Sequence, residues 1–312
     1  MKISIIICTY NRGLILQDTI NSFYEMVIPK GMLFELLVID NNSSDNTKNV
    51  VKRQQSSHTT LRYFFEATPG LSHARNRGIK EASGNIIAFV DDDVYFTSQW
   101  LFQLDLTFND TATDCFGGRS EPVFEQGDPK WLTNKIKPIY GSTNSGETKK
   151  EMLFPEHPFG LNMAFQKHVF EKVGGFNPRL GRIGSNLLSN EEADIFYRIS
   201  QAGLKTSYNP DALLYHRIPP DRTRTEWVLE RYYWQGISEI AFNQIISPIN
   251  KTQLIKQAFI EIGKTISHIS GGNFNPRKAY WHYSKMPLEQ SILTKTRLGR
   301  IRQLLCELGR PG

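Results

Sequence analysis

The first ninety residues alternate between short apolar runs and amphipathic stretches. Four apolar runs are too short for helices and rich in β-forming residues, which predicts buried strands. They are Lys2–Ile7, Phe34–Ile39, Leu61–Phe65 and Ile86–Val90. Between them lie three stretches with apolar residues at helical spacing: Leu14–Met26, Asn46–Gln55 and Leu71–Ala82. Repeated strand–helix–strand order is typical of a parallel, right-handed, doubly wound sheet, so we predict an α/β protein.

The pattern is less regular after this point. Helices are predicted over Thr97–Asn109 and Glu191–Ala202, and Gln126–Lys150 has the composition of a long mobile loop. Short strands are predicted at Cys115–Phe116, Pro122–Phe124, Lys205–Tyr208 and Ala212–Tyr215. Beyond Pro219-Pro220 only helical patterns remain. We therefore expect a first domain over residues 1–220 and a helical extension over 221–312.

Charge distinguishes the two parts. The net charge is +6, and residues 251–312 hold 11 Lys and Arg against 3 Asp and Glu. A basic tail on a near-neutral body favours an anionic partner such as a membrane surface, and solvated helix faces explain it equally well. Nothing in the pattern indicates a nucleic-acid partner.

The expected cellular compartment follows from the absence of disulfide, signal-peptide and membrane-spanning patterns in the sequence. Cys8, Cys115 and Cys306 are far apart, so they predict neither a disulfide nor a metal site, and Cys8 is expected to be a buried, inert residue. No run is long enough to span a bilayer, and the apolar start Met1–Cys8 is too short for a signal peptide. We expect a cytoplasmic protein, with a peripheral position on the inner face of the plasma membrane as the alternative.

Three consecutive carboxylates, Asp91–Asp93, follow the fourth predicted strand. In an open parallel sheet ligands bind at the carboxyl edge, and three packed acids repel one another unless a cation lies among them. A divalent metal carrying phosphates explains both the charge and the position. A solvated acidic turn that caps the next helix is the alternative.

Other polar residues also follow strands directly: Thr9, Tyr10 and Arg12 after the first, and Asp40 after the second. The sheet should bring them to the same edge. The sequence has no glycine-rich dinucleotide fingerprint after the first strand and no P-loop. A metal must then neutralise the phosphates that such loops hold with backbone N–H groups.

Six segments, in order and at plausible spacing over residues 1–217, resemble the successive signatures of family 2 glycosyltransferases. They are Ser4–Arg12 (SIIICTYNR), Glu35–Thr47 (ELLVIDNNSSDNT), Gly70–Gly78 (GLSHARNRG), Asn85–Val94 (NIIAFVDDDV), Gly160–Pro178 and Asn190–His216. The resemblance implies the GT-A fold, with a nucleotide-binding half over about 1–95 and an acceptor-binding half over 96–220.

The resemblance also implies a metal site. Asp91–Asp93 match the family's D-x-D motif, with Asp93 as a direct ligand of Mg²⁺ or Mn²⁺, Asp91 beside it, and His216 completing the site. Oxygen ligands suit both cations. For a lone histidine, a structural hydrogen-bonding role is the alternative.

The nucleotide donor is implied to contact Thr9, Tyr10, Arg12, Asp40, Arg75, Asp91 and Asp92. Asp40 would accept a hydrogen bond from the base, and Arg75 would contact the nucleotide or its phosphates. Turn formation is the alternative for Asp40, and a solvated or salt-bridged side chain is the alternative for Arg75.

The catalytic base is implied to be Glu192, with Glu191 and Asp194 as further candidates. Adjacent carboxylates should raise one another's pKa, which suits a group that accepts a proton near neutrality. Acids that stabilise a helix N-terminus also explain the position without catalysis.

The expected activity is inverting, metal-dependent transfer of a sugar from a nucleotide donor, a UDP-sugar for preference. The acceptor would be a hydroxyl of a glycan or a lipid-linked molecule, in polysaccharide or cell-surface glycan biosynthesis. A sugar nucleotidyltransferase and a non-catalytic nucleotide- or glycan-binding module are the alternatives.

Overall fold

The computed structural model describes residues 1–110, 112–143, 145–270 and 286–310. The chain divides into two compact units. The first comprises Met1–Arg179 and Glu191–Pro219, and the second comprises Leu180–Asn190 and Pro220–Gly312. The second unit therefore includes a segment, Leu180–Asn190, that no sequence pattern assigned to it.

The first unit is built on one sheet that contains nine strands within the described residues, with eight in the order β3-β2-β1-β4-β8-β6-β9-β5 and β7 paired to β9. The strands are β1 (Lys2–Thr9), β2 (Leu33–Asp40), β3 (Leu61–Phe65), β4 (Ile86–Asp91), β5 (Val94–Phe96), β6 (Cys115–Phe124), β7 (Lys150–Glu151), β8 (Asn162–Gln166) and β9 (Thr206–Ile218). The first four strands in this order pair in parallel, as the repeated strand–helix pattern predicted. Beyond β4 the pairing is mixed, because β8 runs antiparallel to β4 and β6.

Helices cover both faces of this sheet. They are α1 (Gly13–Tyr24), α2 (Thr47–Gln55), α3 (Leu71–Glu81), α4 (Trp100–Asp110), α5 (Lys167–Val173) and α6 (Glu191–Gln201). One apolar layer joins strand residues such as Ile5 to α1, α2 and α4. The other joins the opposite strand face, for example Ile6, to α3, α5 and α6. Successive strand side chains point to opposite faces, so fully apolar runs bury both sides of the sheet.

The second part of the sheet corrects several predictions. The two strand pieces at 115–124 are one strand, β6, and the two at 205–215 are one strand, β9. The short strand β5 pairs with β9, and α4 therefore begins at Trp100 rather than at Thr97. The sequence predicted none of the strands β5, β7 and β8.

The segment Gln126–Lys150, predicted to be a mobile loop, is partly built into the first unit. A short 3-10 helix spans Lys137–Tyr140, and the side chains of Ile136 and Tyr140 are buried. The ring of Tyr140 packs edge-on against Phe124 at 5.2 Å between centroids. Aromatic burial anchors this part of the segment although its composition is typical of a loop.

The second unit is helical, as expected, with α7 (Thr225–Ile246), α8 (Lys251–Ser270) and α9 (Leu288–Leu308) after a short 3-10 helix at Pro220–Thr223. Its small core comprises Ile240, Leu254, Ala258 and Leu304. None of the helices within the described residues combines the length and apolar character that a bilayer crossing requires. Three of the basic residues predicted to face an anionic partner, Arg277, Lys278 and Lys285, lie outside the described residues.

Candidate active site

The carboxyl ends of β1, β2 and β4 lie side by side and carry the predicted polar residues. In the parallel register Thr9 stands opposite Asp40, and Cys8 stands opposite Asp91. The sheet therefore brings the three predicted segments to one edge, as expected for a ligand site in this architecture. Cys8 is half-buried here rather than fully buried, because it lies near this edge, and its burial raises the pKa of the thiol to about 12.

Asp92 faces the first strand and helix. Its Oδ2 accepts a hydrogen bond from Thr9 Oγ1 at 2.7 Å, and its Oδ1 accepts one from Arg12 Nη1 at 2.7 Å. Its backbone carbonyl accepts a hydrogen bond from Thr19 Oγ1 at 2.7 Å. These contacts tie the acidic turn to β1 and α1. Tyr10, from the same loop, is 45% exposed.

Asp93 faces β9. Its Oδ1 lies 3.2 Å from His216 Nε2, and its Oδ2 accepts a hydrogen bond from Arg12 Nη1 at 2.8 Å. His216 Nδ1 lies 2.6 Å from the carbonyl oxygen of Tyr140. A carbonyl only accepts, so Nδ1 carries a hydrogen and Nε2 is directed to the carboxylate. Burial lowers the pKa of His216, but the charge and hydrogen bond of Asp93 and the Tyr140 carbonyl raise it above its ordinary value overall.

This pair fits a divalent cation. A carboxylate oxygen and an imidazole nitrogen lie 3.2 Å apart, and the other ring nitrogen is held by a carbonyl, as in many metal-ligating histidines. Within the described ranges, no group of three His, Cys, Asp or Glu side chains is arranged to hold a metal. The structure thus joins Asp93 with His216 and does not assemble Asp91 with them into a three-ligand cluster. Further ligands would have to come from water or a bound diphosphate.

Asp91, half-buried at the end of β4, connects two groups of acids. Burial and the charge of Asp93 raise the pKa of Asp91, and the charge of Arg75 partly offsets this rise. Arg75 also interacts electrostatically with Glu192 and Glu191. The acidic turn and the start of α6 therefore lie around one buried cation.

Glu191 and Glu192 begin α6, and both contact Arg75. Arg75 Nη1 donates to Glu191 Oε1 at 3.0 Å, and Arg75 Nη2 lies 3.4 Å from Glu192 Oε1. Burial is the largest influence and raises the pKa of Glu192, but the charge of Arg75, the hydrogen bonds to the carboxylate and the charge of His157 together outweigh it, and the pKa is lowered overall. The expectation that adjacent carboxylates would raise this pKa is therefore wrong, because a buried guanidinium lies beside them. The salt-bridged alternative for Arg75 is present, and its predicted contact with the nucleotide stays a prediction.

Asp194, the third candidate base, is bound to another partner. It is buried, and its Oδ2 accepts hydrogen bonds from Arg198 at 2.7 and 3.1 Å. Arg198 Nη2 also donates to the carbonyl of Gly175 at 2.9 Å. This arrangement indicates a structural role for Asp194.

Asp40, the expected contact for the base of the nucleotide, is buried and held from two sides. Its Oδ1 accepts the backbone N–H of Ser43 at 2.9 Å, and its Oδ2 accepts the hydroxyl of Tyr63 at 2.7 Å. The contact with Ser43 is the turn interaction that the sequence offered as the alternative role of Asp40. Each oxygen keeps a lone pair for a further donor.

Three supporting residues were not among the predicted site residues. Tyr140 holds His216 through its backbone carbonyl, and Tyr63 orients Asp40. Asn41 accepts the N–H of Gly70 at 2.7 Å and donates to the carbonyl of Thr68 at 2.7 Å, which fixes the approach to α3. Asn41 directly follows Asp40 in the sequence, and this position after a strand was the only indication that it lies near the site.

Solved structures share this architecture. One is the mannosyltransferase PcManGT from Pyrobaculum calidifontis in complex with GDP-Man and Mn²⁺, which is 16% identical, with a TM-score of 0.64 and coverage of 98% of this chain and 87% of that one. The fold is the GT-A fold of glycosyltransferases, with a helical C-terminal region.

Sequence comparison gives the family. The protein-family model described as "Glycosyl transferase family 2" matches residues 4–174, more than half of the chain. The chain belongs to glycosyltransferase family 2. It is 25% identical over 245 residues to the glucosyl-dolichyl phosphate glucuronosyltransferase of Haloferax volcanii, covering 77% of this chain and 76% of the relative. It is 33% identical over 118 residues, 37% of each chain, to the GalNAc(5)-diNAcBac-PP-undecaprenol beta-1,3-glucosyltransferase of Campylobacter jejuni.

Proposed function

We propose that this glycosyltransferase carries out inverting transfer from a nucleotide-sugar, a UDP-sugar for preference, to a hydroxyl of a glycan or lipid-linked acceptor in cell-surface glycan synthesis. The observation that carries the proposal is the meeting of two acid groups around Arg75. Arg75 interacts electrostatically with Asp91 as well as with Glu191 and Glu192. Inverting transfer needs two separate acidic groups, one near the departing diphosphate and one near the incoming hydroxyl.

Glu192 is the proposed base. Its side chain is 19% exposed, whereas that of Glu191 is 3% exposed, so Glu192 is the one that an acceptor can reach. The lowered pKa keeps its carboxylate ionised at neutral pH, which is the form that a base requires. A positioned base contributes about 10²–10⁴-fold in rate. Glu191 remains the second candidate.

On the donor side, Asp93 and His216, with Asp91 beside them, are proposed to hold Mg²⁺ or Mn²⁺. When bound, the cation would supply Lewis-acid stabilisation of the departing diphosphate. Asp40 would accept a hydrogen bond from the base through a free lone pair, and Thr9, Tyr10 and Arg12 would border the nucleoside. Asp92 would act chiefly by holding Thr9 and Arg12 in place.

The test separates chemistry from donor binding. A panel of nucleotide sugars is first screened for metal-dependent thermal stabilisation, which identifies the donor. Turnover with that donor and its nucleotide affinity are then measured for Glu192→Gln. We expect turnover to fall by about 10²–10⁴-fold with nucleotide affinity unchanged. Glu171→Gln, a change of an exposed residue on α5, is the matched control and should match the wild type. Wild-type turnover in Glu192→Gln would refute the assignment.

We also propose that α8 contacts an anionic membrane surface that carries a lipid-linked acceptor. Ile255, Phe259 and Ile266 are 45%, 70% and 43% exposed and lie on one stripe of this helix, and Lys256 flanks the stripe. An exposed apolar stripe beside basic residues suits the interface of an anionic bilayer.

Co-sedimentation with phosphatidylglycerol–phosphatidylcholine vesicles tests this contact. Phe259→Glu should reduce binding at least tenfold, because it places a charge of the wrong sign in the stripe. Val27→Glu changes another exposed apolar residue, in the first unit, and should bind like the wild type. Equal binding of Phe259→Glu and wild type would contradict the proposal.

A further inference from the structure

Arg75 is almost completely enclosed. It lies on α3, and its side chain is 3% exposed. Its guanidinium carbon lies 5.1 Å from the centroid of the Phe176 ring, and its nitrogens face Glu191 and Glu192. A guanidinium with so little accessible surface has almost no face left for the phosphates of a ligand.

The two glutamates differ in how Arg75 holds them. Glu191 receives the shorter contact, 3.0 Å from Nη1 to Oε1. Glu192 Oε1 lies 3.4 Å from both Nη1 and Nη2, so the two terminal nitrogens face one carboxylate oxygen. Arg75 thus contacts the Glu192 carboxylate through one oxygen, Oε1, and makes no hydrogen bond to Oε2. A planar guanidinium fixes direction as well as distance, which an ammonium does not.

Gly160 supplies the space for this arrangement. A Cβ atom added at Gly160 would overlap both Glu192 Oε1 and Arg75 Nη2. The backbone of Gly160 therefore lies directly against the ion pair. Both overlapping atoms are the ends of flexible side chains, so a methyl group here would displace the carboxylate or the guanidinium rather than the fold.

We propose that Arg75 is a positioning residue that holds the carboxylate of Glu192 against the acceptor hydroxyl, and that Gly160 is required because only glycine leaves room for the pair. The proposal rests on the proposed function, in which Glu192 is the base. It differs from the expected role of Arg75 as a contact of the nucleotide. A displacement of about 1 Å in a reacting group can reduce a rate about 10²-fold.

Two variants test the proposal, because Arg75→Met would leave the buried Glu191 without this cation and could prevent folding. Gly160→Ala should lower kcat about 10²-fold, and Arg75→Lys, which keeps the charge, should lower it at least tenfold. In both, the affinity for UDP, measured by calorimetry with Mn²⁺, should stay within about twofold. Gly309→Ala, just after α9, where the added methyl group meets no atom closer than 3.7 Å, is the control and should leave kcat unchanged.

The outcomes distinguish the proposal from the function on which it rests. If Glu192→Gln keeps wild-type turnover, the assignment of Glu192 as the base is refuted. If Glu192→Gln is inactive but Gly160→Ala keeps wild-type kcat, only the positioning role of Arg75 and Gly160 is refuted. A tenfold or greater loss of UDP affinity in Arg75→Lys would instead restore Arg75 as a nucleotide contact. The double variant Gly160→Ala with Glu192→Gln should lose no more than Glu192→Gln, because both changes act through one carboxylate.

Discussion

Glu35 should make this protein sensitive to acid. Its carboxylate is buried in the first unit, at the end of the sheet opposite the candidate site. Its Oε1 accepts hydrogen bonds from Ser4 Oγ at 2.6 Å, from Ser83 Oγ at 2.7 Å and from the Ser83 N–H at 2.8 Å. Its Oε2 accepts one from Arg62 Nη1 at 2.7 Å. The carboxylate thus joins β1, β2, β3 and the turn before β4.

The magnitude follows from the pKa. Burial raises the pKa of Glu35, but the hydrogen bonds outweigh it and lower the pKa from 4.5 to about 2. At about 1.4 kcal/mol per pKa unit, this shift contributes about 3 kcal/mol to the free energy of unfolding. Because the pKa is lowered in the folded state, the contribution is complete above pH 4.5 and is lost as the pH falls from 4.5 towards 2.

Glu35→Gln keeps the shape and removes the charge, so urea unfolding of both proteins, followed by circular dichroism, measures the effect. At pH 7 the variant should be less stable by about 3 kcal/mol, and below pH 4.5 the difference should shrink. Glu25→Gln, a change of an exposed carboxylate, is the control. A difference that is the same at pH 7 and pH 3, or one below about 0.5 kcal/mol at pH 7, would refute the reasoning.

Three further predictions concern the core and the metal. Asn162→Leu should lower the free energy of unfolding in urea by at least about 2 kcal/mol. The reason is that the Trp100 indole N–H and the carbonyls of Arg119 and Ala212 lose their hydrogen-bond partner. An unchanged unfolding curve would contradict this. His216→Ala should reduce the gain in UDP affinity that Mn²⁺ provides at least tenfold, as measured by calorimetry. EDTA should abolish thermal stabilisation by UDP, and added Mn²⁺ should restore it; stabilisation that survives EDTA would count against a metal.

The parallel part of the sheet was predictable because its strands have a strong local pattern. Leu61–Phe65 is an apolar, β-forming run, and its observed bounds are those predicted. The position of the site was predictable for the same reason: polar residues that directly follow buried parallel strands must meet at one edge, as Thr9 and Asp40 do.

The later strands depend on distant contacts that no local pattern contains. The residues Asn209-Pro210-Asp211 suggested a break, yet β9 continues through them. The Asn209 side chain donates to Thr107 Oγ1 on α4 at 2.9 Å, which secures the strand at this point. Likewise, Tyr140 lies in a segment with loop composition, and its role depends on His216, 76 residues further along the chain.

The three consecutive aspartates show why charge counting cannot by itself establish a metal site. Their repulsion suggested that a cation must lie among them, and the protein provides cations of its own. Arg12 bridges Asp92 and Asp93, and Arg75 acts on Asp91. The orientation of Asp93, rather than the number of acids, therefore favours a metal here, because Asp93 faces the Nε2 of His216, whose Nδ1 is already bound to the Tyr140 carbonyl. Asp93→Asn should for this reason weaken Mn²⁺-dependent UDP binding, whereas Asp92→Asn should chiefly lower the stability of the protein. If Asp92→Asn weakened this binding and Asp93→Asn did not, the assignment of the metal to Asp93 would be wrong.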